Sequence, residues 1–499
     1  MSERKAAVLL QAAFACVCAG ALLFSSCKST KDAGSSKGDA MALVFDETDY
    51  VVRTVERGGK TLTYRAFEDI PYVANPADPS FQRLNIYAPE VYFAGGSIGG
   101  WELKSAPIFL PNTVGGYMPG PRAKPGDVEF GRTNSAFYAL LHGYVVVSAG
   151  VRGRGMKGQT GEYIGVAPAA ICDLKAAVRY LRANSLKVPG NTDRIISNGT
   201  SAGGALSALL GATGNHSDYT TELQRMGAAD ARDDIFAASC YCPITNLDHA
   251  DMAYEWEFAG QREFTQADYE HPGQVITGTL TDDEQELSVQ LAASFPAYLN
   301  GLHLADAAGN ELTLDDAGEG SFKDYVASVV LASSQRQLDA GVDLSGMDWL
   351  TIQDGRAVGM DFALYVAFRG RMKRPPAFDS VNLGTPENEL FGTSSVRFRH
   401  FTAFSKEHSN VSGEIASEQQ IKMMNPMNYI GDAQADTARH FRIRHGTVDR
   451  DTSLAVSAML AARLAGDGVD VDFAYPWGVP HSGDYDLDEL FAWIDQIAR

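Results

Sequence analysis

Apolar and polar positions alternate along the chain in a rhythm that predicts short strands separated by helices. Residues 169–182 carry apolar side chains at helical spacing, and Pro168 stands at the start, where proline is well tolerated. Residues 202–210, rich in Ala and Leu, predict a second helix directly after a strand. Such alternation indicates a mostly parallel sheet with helices on both faces, which is the α/β class. Compact apolar runs predict its strands at residues 50–56, 61–67, 83–87, 106–110, 144–149, 193–198 and 235–241.

The rhythm changes after Pro243. Up to residue 424 the pattern predicts helices at 282–295 and 322–338, a hairpin-like segment at 304–314, and polar loops. We therefore expect an α/β core that is interrupted by a long insertion and completed afterwards. The elements that complete it are a strand at 441–444, a helix at 453–464, a strand at 469–475 and a helix at 487–498.

Composition and charge restrict the class of partner. The chain has 499 residues, of which 45% are hydrophobic and 21% charged, as in a globular protein. A formal net charge of −20 without a Lys/Arg stripe argues against a nucleic-acid partner, because a phosphate backbone would be repelled. The expected partner is a small molecule.

The N-terminus has the organisation of a secretory signal. Basic residues precede an apolar stretch at 6–24, and small residues then precede Cys27. This arrangement resembles a bacterial lipobox, which implies a signal peptide at 1–26, lipidation of Cys27 and a flexible tether at 27–45. We expect a lipid-anchored protein of the cell envelope or cell surface. A secreted soluble form, produced by ordinary signal cleavage, is the alternative.

Three further cysteines remain in the mature chain, at Cys172, Cys240 and Cys242. Three thiols do not make a disulfide framework. Cys240 and Cys242 would share one face of an apolar strand, but no neighbouring His or Cys completes a metal site. We expect buried packing for both and no bound metal.

The segment from Gly199 to Gly203 has the spacing of a nucleophile elbow, Gly-Thr-Ser-Ala-Gly. A strand is predicted before it and a helix after it, as this sharp turn requires. Small residues must flank the serine because the two passing chains leave no room for larger side chains. Ser201 is therefore the candidate nucleophile.

A serine hydroxyl needs an imidazole to take its proton and a carboxylate to orient that imidazole. In the α/β-hydrolase arrangement the three residues follow in the order Ser, Asp, His, with the histidine after the last strand. Asp449 follows the strand at 441–444, and His481 lies between the last strand and the last helix. His445 is the nearest rival, but it precedes Asp449, and we expect it to support the Asp449 turn by hydrogen bonding.

The tetrahedral intermediate also needs backbone donors for its oxyanion. One is expected to be the amide of Ala202, directly after the nucleophile. The other is expected from the loop at 112–117, Asn-Thr-Val-Gly-Gly-Tyr, whose paired glycines permit close backbone approach. We favour Gly115, with Gly116 second; a plain glycine turn is the alternative.

Four motifs around these residues closely resemble bacterial tannases of the type B group, and the likeness extends from about residue 112 to the C-terminus. It implies an α/β-hydrolase core at 46–243 and 425–499, a lid at 244–424, and hydrolysis of galloyl esters. The motifs are NGTSAGGALS at 198–207, CPITNL at 242–247, HGTVDRD at 445–451 and PHSGDYD at 480–486.

The resemblance also implies three substrate contacts. Lys373 in MKRPPAFD, Glu387 in TPENELFG and Asp451 match the family's contacts to the galloyl hydroxyls. The chemistry agrees, because three adjacent phenolic hydroxyls need both acceptors and a donor. Each residue has a plainer interpretation: an exposed lid lysine, one of two nearby glutamates, and a cap of the helix at 453–464.

The combined expectation is a monomeric serine esterase without a cofactor that cleaves simple gallate esters and the depside bonds of hydrolysable tannins. A feruloyl or general aromatic carboxylesterase on the same fold is the first alternative. A surface lipoprotein that binds polyphenols without turning them over is the second.

Overall fold

The computed structural model describes residues 43–129, 132–267 and 274–499. The predicted signal peptide, the lipidation site Cys27 and residues 27–42 of the predicted tether lie outside the described residues. Residues 43–45 are held against the core, because Phe45 is buried and its amide donates to Asn184 Oδ1 at 2.8 Å. In the described part of the chain, no helix has the length and apolar character needed to cross a membrane.

Fifteen strands occur among the described residues, and nine of them form one central sheet. They are β1 (Val51–Arg57), β2 (Lys60–Pro71), β3 (Arg83–Pro89), β4 (Pro107–Pro111), β5 (Val128–Glu129), β6 (Arg132–Thr133), β7 (Val145–Ala149), β8 (Asn191–Thr200), β9 (Ala237–Tyr241), β10 (Glu263–Ala267), β11 (Val275–Thr279), β12 (Leu350–Gln353), β13 (Arg356–Met360), β14 (His440–Arg444) and β15 (Asp470–Ala474).

The central sheet has the order β1-β2-β3-β7-β4-β8-β9-β14-β15. Strands β1, β2 and β3 pair antiparallel, as do β3 and β7, and every pair from β7 to β15 is parallel. Strands β4, β7 and β9 are buried along their whole length, as strands covered by helices on both faces are. The predicted α/β class with a mostly parallel sheet is confirmed.

Thirteen α-helices complete the described fold, with three 3₁₀ turns at Glu90–Ala94, Ser217–Tyr219 and Pro426–Asn428. The helices are α1 (Ser135–Leu141), α2 (Ala169–Ala183), α3 (Ala202–Ala212), α4 (Thr220–Arg225), α5 (Leu247–Phe258), α6 (Asp282–Gly301), α7 (Ser321–Asp339), α8 (Phe362–Arg369), α9 (Pro386–Leu390), α10 (Ala403–Glu407), α11 (Glu418–Lys422), α12 (Leu454–Gly466) and α13 (Leu487–Ala498).

Residues 242–439, called the inserted segment below, connect β9 to β14 without adding a strand to the central sheet. The two strands are direct parallel neighbours, so the segment leaves the sheet and returns beside its starting point. It contains α5 to α11 and the hairpins β10–β11 and β12–β13. The predicted domain boundaries at 243/244 and 424/425 stay a prediction.

The hairpin-like interpretation of residues 304–314 is confirmed in a short form. An antiparallel bridge joins Ala305 to Glu311, and the amide of Leu312 donates to Leu304 O at 2.8 Å. Asp306 closes the turn, because its Oδ1 accepts hydrogen bonds from the amides of Ala308 and Asn310 at 2.8 and 2.9 Å. Local side-chain bonds of this kind stabilise a tight turn.

The parallel strands define where chemistry can assemble. The carboxyl ends of β8, β9, β14 and β15 meet at one edge of the sheet, and ligands of open α/β sheets bind at that edge. The loops that follow these strands carry the elbow, the start of the inserted segment, Asp449 and His481.

Candidate active site

Ser201 occupies a sharp turn between β8 and α3. Its backbone has φ 61° and ψ −122°, a conformation that side-chain-bearing residues rarely adopt. A Cβ on Gly199 would lie 2.3 Å from the carbonyl oxygen of Gly203, and a Cβ on Gly203 would lie 2.5 Å from Asn112 Oδ1. Both glycines are therefore sterically required, and the partly exposed Ser201 side chain faces the cavity that it lines.

His481 and Asp449 form a hydrogen-bonded pair beside this turn. His481 Nδ1 lies 2.8 Å from Asp449 Oδ2, and the Asp449 carboxylate is fully buried. Burial alone would raise the pKa of Asp449, but His481, His445 and hydrogen bonds hold it well below its usual value. An ionised Asp449 keeps the proton on Nδ1 and leaves Nε2 free to act as a base.

The pKa of His481 moves the other way. Burial alone would lower it, but the carboxylates of Asp449 and Asp451 outweigh burial and raise the pKa well above its usual value. His481 is also accessible, with 29% of its side chain exposed, and it lines the same cavity as Ser201.

His445 has a different environment. Its side chain is fully buried, its Nδ1 lies 2.9 Å from Ser457 Oγ, and its Nε2 lies 3.5 Å from Asp449 Oδ2. Burial lowers the pKa of His445 to about 4, so the ring is neutral at physiological pH. His445 lies beside Asp449 but is not among the residues that line the cavity.

The glycine loop lies against the elbow. Asn112 Nδ2 donates to Gly203 O at 3.0 Å, which connects the start of the loop to the start of α3. Gly115 and Gly116 both line the cavity, and neither of their amides has an acceptor among the described residues. Ala202 begins α3, where an amide has no partner within the helix. The geometry leaves both glycine amides available, so the preference for Gly115 stays a prediction.

One cavity of about 2370 Å³ joins the two parts of the molecule. Its wall includes Ser201 and His481 from the core. It also includes Lys373 and Glu387 from the inserted segment, together with Asp451 from the loop after β14. The residues predicted to act on the ester and those predicted to bind its ring therefore share one space.

Lys373, Asp451 and Glu387 form a charged cluster in this cavity. Lys373 Nζ donates to Asp451 Oδ2 at 3.0 Å. Burial raises the pKa of Glu387, and the positive charge of Lys373 only partly opposes this effect. Burial would also raise the pKa of Asp451, but Lys373 and His481 lower it instead. A lysine and two carboxyl groups on the wall of one cavity offer the donor and the acceptors that adjacent phenolic hydroxyls need.

Helix α5, which the sequence pattern did not reveal, positions this cluster. The hydroxyl of Tyr254 accepts the amide of Lys373 at 2.9 Å and donates to the carbonyl of Arg450 at 3.1 Å. One turn of α5 therefore connects Lys373 to the loop that carries Asp449.

Two buried ion pairs strengthen the same connection. Glu255 pairs with Arg371, whose Nε donates to the carbonyl of Lys373 at 2.6 Å. Glu257 pairs with Arg369, which also donates to the carbonyl of Asp449. Sequence analysis missed these four residues, because the partners lie 112 and 116 positions apart and nothing in the local pattern singles them out.

Cys242 lies closer to His481 than the prediction of simple buried packing implied. Its Sγ is 4.0 Å from His481 Nε2, and the thiol donates to the carbonyl of Ser482 at 3.5 Å. Burial raises the pKa of Cys242, which keeps the thiol protonated. Cys242, Asp449 and His481 have ligand-type atoms within 4.8 Å of one another, but the last two are already bonded to each other. The absence of a metal stays a prediction.

Known proteins resemble this chain in both sequence and structure. Residues 122–286 match the model of the BD-FAE family, which consists of α/β hydrolases. A comparison with curated proteins finds no match.

Solved structures match over nearly the whole described chain. The native tannin acyl hydrolase from Lactobacillus plantarum is 44% identical, covers 92% of this chain and 99% of its own, and superposes with a TM-score of 0.89. Tannase from Fusobacterium nucleatum is 46% identical, with coverages of 92% and 100% and a TM-score of 0.89. A tannin acyl hydrolase in complex with ethyl gallate is 44% identical, with coverages of 92% and 99% and a TM-score of 0.88.

Proposed function

This chain belongs to the bacterial tannase family of ester hydrolases, and we propose that it hydrolyses galloyl esters to release gallic acid. The proposed substrates are simple gallate esters and the depside bonds of hydrolysable tannins. The observation that most supports this proposal is that Lys373, Glu387 and Asp451 line the same cavity as Ser201 and His481.

In the proposed mechanism Ser201 attacks the galloyl carbonyl while His481 Nε2 takes the serine proton. Asp449 orients the imidazole and stabilises its positive charge, as its 2.8 Å contact to Nδ1 allows. The amides of Ala202 and Gly115 stabilise the oxyanion. His481 then protonates the departing alcohol, and water activated by the same histidine releases gallate from the acyl-enzyme.

The ring hydroxyls supply substrate specificity in this proposal. A site with buried carboxylates and a lysine binds hydroxyls strongly and rejects esters that lack them, because its polar groups would stay unpaired. The relative solved with ethyl gallate supports a small galloyl ester as the ligand class.

The proposal also retains lipidation of Cys27, which would hold a monomeric enzyme at the cell envelope or surface. Metabolic labelling with a radioactive fatty acid should label the wild-type protein, and Cys27→Ser should abolish the label. An unlabelled wild-type protein would contradict the anchor and favour the secreted form, and a labelled Cys27→Ser protein would mean that the lipid is carried by another residue.

Substrate comparison on matched variants tests the activity. Wild type should cleave methyl gallate with much higher kcat/KM than methyl ferulate or methyl benzoate, and Ser201→Ala should cleave none of them. A fluorophosphonate probe should label the wild type and not Ser201→Ala. No label on the wild type would favour the polyphenol-binding alternative, and equal rates on the three esters would contradict a galloyl preference.

The proposed role of Lys373 in substrate binding can be tested by comparison with its neighbour Arg374. Lys373→Met removes a charged hydrogen bond, worth about 1.5–3 kcal/mol, and should lower kcat/KM on methyl gallate by about 10- to 100-fold. Arg374→Met is the matched control, because Arg374 also lines the cavity but pairs with Glu284 and is 56% exposed. Equal losses in the two variants would contradict a specific role for Lys373.

A further inference from the structure

Arg154 makes contacts on both sides of the active-site cavity. Its backbone amide donates to Tyr117 O at 2.8 Å, and its Nε donates to Gly116 O at 2.6 Å. Its Nη1 donates to Glu389 Oε2 at 2.7 Å. The side chain is 19% exposed and lines the cavity. One residue therefore bonds both the glycine loop of the core and helix α9 of the inserted segment.

The glycine loop needs external support. Gly116 and Tyr117 have φ values of 53° and 55°, so two consecutive residues are left-handed, and tyrosine is disfavoured there. Only one bond within the loop is found, from the amide of Met118 to Gly115 O at 3.0 Å. The side chain of Arg154 fixes the carbonyl of Gly116, and its backbone amide fixes that of Tyr117, so the two peptide units that follow Gly116 are held in place.

The other end of Arg154 reaches the substrate-binding helix. Glu389 stands two residues after Glu387 on α9 and is 5% exposed. Burial would raise the pKa of Glu389, but Arg397 and Arg154 hold it below its usual value, so it is ionised. A charged hydrogen bond at this position is strong and directional.

We propose that Arg154 is a positioning residue that holds the glycine loop in the geometry needed for the oxyanion and ties it to the helix that carries Glu387. The inference rests on the proposed function only for the role of Glu387. The part concerning the glycine loop applies to any ester. Arginine is required because its planar fork donates in two directions at once, whereas a lysine has a single nitrogen.

Two substrates separate the two roles. An acetate ester such as p-nitrophenyl acetate uses the triad and the oxyanion donors but has no ring hydroxyls to meet Lys373, Glu387 or Asp451. Arg154→Gln should lower kcat on this ester and on methyl gallate by about 10- to 100-fold, as small misplacement of catalytic groups does. KM should change by less than about threefold. Arg154→Lys should lose nearly as much, because it keeps the charge but not the fork.

Variants of the acidic partner provide the controls. Glu389→Gln should lower kcat/KM on methyl gallate more than on the acetate ester, because it loosens α9 while Nε of Arg154 still reaches the loop. Arg397→Gln should stay within about twofold of wild type on both esters. Arg397 bonds the other oxygen of Glu389 at 2.7 Å and is 54% exposed. The rate of fluorophosphonate labelling of Ser201 gives a third readout that needs no turnover.

Several results would overturn the proposal. If folded Arg154→Gln retains kcat on the acetate ester and its labelling rate within about threefold, Arg154 does not position the loop. If its loss is confined to KM for methyl gallate, Arg154 is a substrate contact instead. If Arg154→Gln does not fold, the Arg154→Lys and Glu389→Gln results decide. A wild type that cleaves the acetate ester and rejects methyl gallate would overturn the proposed function while leaving the loop test intact.

Discussion

Replacing Glu257 by glutamine should destabilise the fold strongly. The side chains of Glu257 and Arg369 are both 0% exposed and form an ion pair between α5 and α8. Glu257 Oε2 also accepts Ser453 Oγ at 2.6 Å and the amide of Leu454 at 2.8 Å, which caps α12. Glutamine keeps the shape of the side chain but removes its charge and one acceptor oxygen.

The size of the expected loss in unfolding free energy follows from the burial of this ion pair. Water cannot screen this pair, so Glu257→Gln leaves an uncompensated cation inside the protein, and breaking a buried pair destabilises by about 3–5 kcal/mol. Glu319→Gln is the matched control, because Glu319 pairs with Lys323 while 60% exposed. An exposed pair contributes less than about 1 kcal/mol.

Urea unfolding of the two variants, followed by circular dichroism, measures this difference. A Glu257→Gln loss below about 1 kcal/mol would refute the reasoning, since Arg369 would then have found another partner. Glu257→Met combined with Arg369→Met should recover only part of the stability, because it removes the unpaired charge but leaves Ser453 Oγ, the amide of Leu454 and the carbonyl of Asp449 without these partners. It should not recover activity, because Arg369 also bonds the carbonyl of Asp449.

Three further predictions concern titrating groups. The raised pKa of His481 keeps this base protonated in mild acid, so kcat/KM on methyl gallate should rise with pH through an inflection above 6.5. Asp449→Asn should move that inflection to lower pH. An inflection that does not move would contradict the pairing of His481 with Asp449. His445→Gln should retain kcat within about tenfold, whereas His481→Gln should lose at least about 10³-fold; similar losses would make His445 catalytic. Burial and the nearby Asp379 raise the pKa of Asp251 to about 8 from 3.8, so the folded state holds a proton that the unfolded state loses, and Tm should fall as pH rises from about 4 to 8. Asp251→Asn should make Tm fall less over this pH range. A variant whose Tm falls with pH in parallel with the wild type would contradict this role of Asp251.

The sequence predicted those parts of the site whose geometry depends on residues that are close together in the chain. The glycines around Ser201 are needed because their neighbours in the chain pass too close for a Cβ, and that requirement is visible in the motif itself. The candidate acid and histidine could be placed by strand order, because β14 and β15 follow each other with one helix between them. These inferences needed only the order of elements along the chain.

The connections that hold the site together had no local cause. Glu257 and Arg369 are 112 positions apart, and Glu255 and Arg371 are 116 apart, so only the folded arrangement brings them together. Arg154 and Glu389 are 235 apart. A charged residue in such a pair looks like an ordinary surface residue in sequence, and its partner cannot be identified without the fold.

The contacts of the inserted segment converge on the short loop after β14 that carries Asp449, the candidate acid. Four of the five residues at 447–451 receive a bond from it, and these bonds are Tyr365 Oη to Thr447 O, Arg369 to Asp449 O, Tyr254 Oη to Arg450 O and Lys373 Nζ to Asp451 Oδ2. The loop that contacts His481 through Asp449 is therefore held partly by the inserted segment, which carries the proposed ring contacts Lys373 and Glu387. Changes in that segment should alter kcat as well as KM, because a shift of the inserted segment also shifts Asp449. An enzyme whose lid only shaped the entrance would show the change in KM alone.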